Sequence, residues 1–145
     1  TDEEIHSLHA HPKVKAAVSF THGEGFGLPM FEAAYMGLPV VAPGWSGQCD
    51  FLFDLSGKER FYNVAFDLHP VQKEAVWDGV IQKDSQWSFP REHSAKEQMR
   101  KCYEDVKNEN SEACEYTAEL KERFAKEVMY QQFVDEGTLP DRRTG

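Results

Sequence analysis

The sequence predicts an α/β fold: a parallel sheet of about three strands, flanking helices and a C-terminal helical segment. Three observations predict it. Between Val14 and Ala42 the chain reads as strand, glycine loop, helix, strand, the order of a βαβ unit with a right-handed crossover. The second of those strands, Leu-Pro-Val-Val-Ala from Leu38, is apolar throughout, as in a strand covered on both faces. Beyond Arg91 the apolar residues recur only at helical spacing.

Each element has a local reason. Thr1 and Glu4 have capping-box spacing, and Ile5 and Leu8 share a face, so residues 1–10 form a short helix. His11-Pro12 ends it, because the residue before proline is pushed out of the helical region. Val14 to Phe20 is the first strand. Pro29 suits the first helical position, where its missing N–H costs nothing, and Gly37 suits the C-terminal cap of a helix over 29–36. Residues 43–47 read as a loop, 48–55 as the start of a short helix and 60–66 as a third strand. Val71, Ala75, Val76, Val80 and Ile81 predict a helix over 70–82, followed by a polar, aromatic-dotted turn over 84–91. Ser94 and Glu97 have capping-box spacing for a helix to about Lys107 with Met99, Cys102, Tyr103 and Val106 inward. Leu120, Phe124, Val128 and Met129 predict one long helix over 111–135, and residues 140–145 read as a tail beyond a domain of 1–139.

Composition narrows the function. A chain of 145 residues suits one domain. The formal net charge is −9, and no segment gathers Lys and Arg. That argues against nucleic acid or an anionic membrane as a partner. No apolar run is long enough to span a bilayer, and no basic, apolar leader is visible. Cys49, Cys102 and Cys114 form no Cys-x-x-Cys pair, which favours a reducing, cytoplasmic setting.

The chemistry concentrates between His22 and Val41. Gly23, Gly25 and Gly27 permit left-handed backbone and let amides approach a ligand. The loop feeds a helix N-terminus, where free N–H groups and the dipole favour a phosphate or diphosphate. No Gly-Lys-Ser/Thr follows, so this is no P-loop, and the spacing misses the dinucleotide fingerprint. An ionised glutamate only accepts hydrogen bonds, and its two oxygens match a vicinal diol. Glu24 in the loop and Glu32 in the first helical turn therefore flank the anion position, one for a sugar and one for a ribose. A nucleotide sugar presents those parts in that order.

The segment Glu-Gly-Phe-Gly-Leu-Pro-Met-Phe-Glu-Ala, Glu24 to Ala33, resembles the signature of the retaining family-4 glycosyltransferases of the GT-B fold. Gly37 to Ala42 and the opening Thr-Asp-Glu-Glu-Ile are similar to the segments flanking that signature. The resemblance implies half of a Rossmann-like sheet, the later part of a C-terminal nucleotide-sugar-binding domain. It implies that Glu24 binds hydroxyls of the donor sugar and is the residue to assign to catalysis. It places Gly25, Phe26, Gly27 and Leu28 along the sugar and diphosphate, and Glu32 on the ribose diol. No metal or other cofactor is implied; the nucleotide-diphosphate sugar is the donor substrate. An N-terminal acceptor domain and an Arg/Lys pair on the diphosphate are expected outside this chain, and the isolated chain is expected to be inactive. The full-length protein would be cytoplasmic or membrane-peripheral. Trp45 either walls the donor pocket or packs, and the Trp-Ser-Gly-Gln-Cys-Asp run ending at Asp50 loosely resembles the family's next loop.

Other readings are weaker. A glycosidase acid–base pair needs two carboxylates across one bond, which this arrangement does not suit. A non-catalytic nucleotide-sugar-binding module is the alternative to a transferase. His6, His9 and His11 lack a closed zinc set and read as a surface cluster. The three strands resemble the last three of a six-stranded open sheet. Val14 to Phe20 would then be an exposed edge, guarded by Lys13 and Lys15, and prone to form a homodimer.

Overall fold

The computed structural model describes residues 1–137. A three-stranded parallel sheet carries the fold, in the order β1 (Ala17–Val18), β2 (Val40–Pro43), β3 (Tyr62–Val64). Along β2 the side chains alternate faces, and both faces are buried. Val40 and Ala42 face a core with Met30, Ala33, Phe51, Tyr116 and Leu120. Val41 faces a second core with Val64, Ala95 and Cys102. The helices α2 (Leu28–Tyr35) and α5 (Ala113–Arg123) close the first side, and α4 (Glu92–Lys107) closes the second. Helix α1 (Asp2–His9) packs beside α2. Its capping box forms as expected: the Thr1 hydroxyl accepts from the Glu4 N–H while the Glu4 carboxylate reaches back.

The strands are shorter than their apolar runs. β1 covers two residues of the expected seven, although the Ala17 and Ser19 amides extend the pairing by donating to the Pro39 and Val41 carbonyls at 2.9 and 3.0 Å. β1 is an edge: Val18 is 50% exposed and Phe20 38%. Beside it α4 leaves an apolar trough of about 460 Å³ lined by Ala16, Val18, Met99, Tyr103 and Val106. Met99 and Tyr103 are therefore exposed, not inward as their spacing predicts, because the sheet ends before α4 does; only Cys102 is buried and Val106 half-buried.

Three further expectations are corrected. Residues 70–82 are not a helix, and 84–91 are not merely a turn. Strand β4 (Phe66–Pro70) pairs antiparallel with β5 (Gln86–Pro90) across five positions. The connection holds a 3₁₀ turn at Lys73–Ala75 and a tight turn closed by Trp77 and Ile81. Gly79 takes the left-handed position of that turn, φ 80°, and the Val80 and Ile81 amides donate to the Trp77 carbonyl at 2.8 and 2.7 Å. The Ser94 hydroxyl does not cap α4, which starts earlier with Arg91 at its N-cap; it accepts instead from the Ala65 N–H at 2.9 Å.

The long C-terminal helix is two, α5 and α6 (Lys126–Gly137), broken at Phe124-Ala125. Arg123 donates to the Phe53 and Asp50 carbonyls and to the Tyr116 hydroxyl. Phe124 turns in against Phe31, ring centroids 5.0 Å apart. Those tertiary contacts outweigh helix continuity, leaving Val128 and Met129 exposed on α6. The expected tail at 140–145 and the end of the expected domain lie outside the described residues. Among the described residues no helix is long and apolar enough to cross a membrane.

Candidate functional site

The glycine loop sits between the end of β1 and α2, at the C-terminal edge of the parallel sheet, where open α/β sheets place their ligands. Gly27 is the N-cap of α2 with φ 86°. The left-handed backbone favours glycine here, and a Cβ would crowd Met30 Cε at 3.0 Å and Gln48 Cβ at 3.3 Å. Gly23 and Gly25 do not share the left-handed backbone that the sequence allows them. The helix begins at Leu28, one residue before Pro29, so Glu32 opens the second turn, not the first.

The amides of Gly25, Phe26, Gly27 and Leu28 donate to no other group among the described residues. No side chain caps the helix. Free N–H groups at a helix mouth are the donors from which an anion cradle is built. The Phe26 ring turns away, packing against Phe31 at 5.2 Å and Phe51 at 5.1 Å. Phe26 thus anchors the loop through its side chain and leaves its backbone free. Leu28 is 57% exposed at the mouth.

Glu24 and Glu32, one before and one after these amides in the sequence, are both half-buried. Neither carboxylate has a hydrogen bond or ion pair among the described residues. Glu32 opens onto a cavity of about 240 Å³ between α1 and α2, lined also by Ile5, His6, His9, Phe31 and Tyr35. The Nδ1 atom of His9 is buried without a partner. Among the described residues no group of three or more His, Cys, Asp or Glu side chains is placed to hold a metal.

The backbone of Glu24 is held from a second loop. Ser46 Oγ donates to the Glu24 carbonyl at 2.7 Å and accepts from the Glu24 N–H at 3.3 Å. The Gly47 N–H donates to the same carbonyl at 3.0 Å. A Cβ on Gly47 would stand 1.9 Å from the Gly25 carbonyl oxygen, so the two loops touch backbone to backbone. Trp45, just before, lies tilted on Phe66 at 6.0 Å, an anchoring role for its ring. Gln48 is buried, and its amide donates to the Pro43 carbonyl at 3.0 Å. Asp50 is exposed on the short helix α3 (Cys49–Leu52).

Sequence reasoning missed Ser46, Gly47 and the contribution of the β4–β5 hairpin. His22 donates from Nδ1 to the Ser88 carbonyl at 2.7 Å, and the Ser88 N–H donates back to the His22 carbonyl at 3.0 Å. The alternation of Trp87 and Phe89 around Ser88 was the available signal, masked by its polar neighbours. No family model, curated protein or solved structure matches this chain.

Proposed function

We propose that this chain is the donor-binding half of a retaining glycosyltransferase that uses a nucleotide-diphosphate sugar. One observation supports the reading: four free amides at the mouth of α2 are flanked in sequence by two half-buried, unpartnered carboxylates. The cradle suits a diphosphate. Glu32 suits the ribose diol and Glu24 the hydroxyls of the transferred sugar, each such charged hydrogen bond contributing roughly 1.5–3 kcal/mol.

In this reading the amides and the helix dipole stabilise the charge that grows on the diphosphate as the glycosidic bond breaks. The donor is a substrate, and the reading assigns no cofactor. In this reading the acceptor site lies in an N-terminal domain, and the Arg/Lys pair on the diphosphate lies upstream, both outside these residues. The chain alone therefore binds the donor and does not transfer.

Isothermal titration with uridine, guanosine and adenosine diphosphates, and with their glucose or mannose conjugates, tests the reading. Binding of at least one, tighter for its sugar conjugate, is expected. No heat of binding to any at millimolar ligand overturns it.

A further inference from the structure

We infer that His22 is a positioning residue for Glu24, acting through a two-sided clamp between the glycine loop and the β4–β5 hairpin; this rests on the reading of Glu24 as a sugar-binding carboxylate. A carbonyl oxygen only accepts, so the contact between His22 and Ser88 places a proton on Nδ1. The reciprocal Ser88 N–H to His22 carbonyl bond makes the pair a two-bond bridge. The ring is also packed: it lies parallel to Trp87, 4° between planes and 5.0 Å between centroids, with Phe89 at 4.5 Å. Phe89 in turn meets His69 at 5.5 Å, joining the contact to the opposite strand of the hairpin.

Two residues on, the Glu24 backbone is held by Ser46 and Gly47. Between the two anchors stands Gly23, exposed and of the residue type with the widest backbone freedom. The loop is thus pinned on both sides of a pivot, by the hairpin at His22 and by the 45–48 loop at Glu24. Breaking the Nδ1 bond leaves the hairpin only its backbone bond to the His22 carbonyl, which loosens this anchor and widens the range of directions open to the Glu24 carboxylate. Holding a binding group to within a fraction of an ångström needs that outer support.

Two amide substitutions separate the hydrogen bond from the bulk of the ring. In His22→Asn the side-chain NH₂ replaces Nδ1 and keeps the bond to Ser88. In His22→Gln the NH₂ falls at the place of Nε2 and loses it. Amide hydrogen exchange gives a ligand-free readout at Gly47, whose N–H bonds Glu24. His22→Gln is expected to lower Gly47 protection by about tenfold, with His22→Asn close to wild type.

Titration gives the second readout. The gain in affinity of a nucleotide sugar over its nucleoside diphosphate is expected to fall about three- to tenfold in His22→Gln only, with the nucleoside diphosphate itself bound as before. Unchanged Gly47 exchange in His22→Gln overturns the clamp, and so does equal impairment of both variants. If the wild-type chain binds no nucleotide, the donor-site reading falls, while the exchange comparison still decides whether His22 holds the Glu24 loop.

Discussion

Ser46 holds the carbonyl of Glu24 at 2.7 Å while its own backbone sits at φ 68°. That left-handed conformation disfavours any residue with a Cβ by roughly 1–2 kcal/mol. It persists because the hydroxyl both gives to and takes from Glu24 and brings Gly47 within reach of the same carbonyl. Strain accumulates here at the candidate site. Ser46→Ala keeps the strain and loses the bonds, so it should destabilise by about 1–2 kcal/mol. Ser46→Gly loses the bonds but relieves the strain and should fall closer to wild type. Urea unfolding of the three proteins checks the order; Ser46→Gly as the weakest of them contradicts it.

The two carboxylates should divide their effects. Glu32→Gln is expected to weaken nucleoside diphosphate binding about tenfold, since the amide loses charge and one acceptor oxygen. Glu24→Gln should leave that affinity nearly unchanged and reduce the extra affinity for the sugar conjugate. In an intact enzyme it should lower turnover more than nucleotide binding. Loss of nucleoside diphosphate binding in Glu24→Gln would show that the roles are misassigned.

Asp54 predicts a pH dependence. Its buried Oδ1 accepts from the Ser56 hydroxyl at 2.6 Å and from the Ser56 and Lys58 amides at 2.9 Å, while Oδ2 takes the Arg60 Nε–H at 2.8 Å. The Ser56 hydroxyl first, then the Lys58 amide and the Arg60 guanidinium, hold its carboxyl well below the usual carboxylate range. A carboxyl lowered in the folded state contributes fully above the unfolded value of about 4 and less as pH falls below it. The gap in urea midpoint between wild type and Asp54→Asn should therefore be constant from neutral pH to about 5 and shrink from about 4 downward. A gap that stays constant into acid would assign the effect to shape, not charge.

The open edge predicts self-association. With Val18 on a two-fold axis and the β1 strands antiparallel, Lys15 faces Thr21 of the second copy and Lys13 faces its Gly23, next to Glu24. Basic residues then meet the acidic loop, and the outward N–H and C=O of Val18 find partners. Sedimentation at tens of micromolar should show a dimer that Val18→Lys abolishes and that high salt weakens. A monomer in the wild type removes this pairing, and a dimer that survives Val18→Lys moves it to another surface.

The sequence by itself determined the parts governed by neighbours along the chain. Thr1 and Glu4 cap α1 within one turn, Gly37 takes φ 83° past the end of α2, and Val40 to Ala42 are apolar enough for only a doubly covered strand. The glycine loop with Glu24 and Glu32 was legible for the same reason, since a loop that exposes its amides must be written in local residue types. The tertiary structure decided what depends on distant partners. Residues 70–82 carry helical spacing, yet β4 finds β5 across a long connection. The Ser94 hydroxyl leaves its helix to serve Ala65, and Phe124 breaks a continuous helical pattern to reach Phe31. Ser46 and His22 join the site from a second loop and through a hairpin, by hydrogen bonds spanning 22 and 66 residues of sequence. Such bonds form only once the core has brought their ends together, so no local pattern records them.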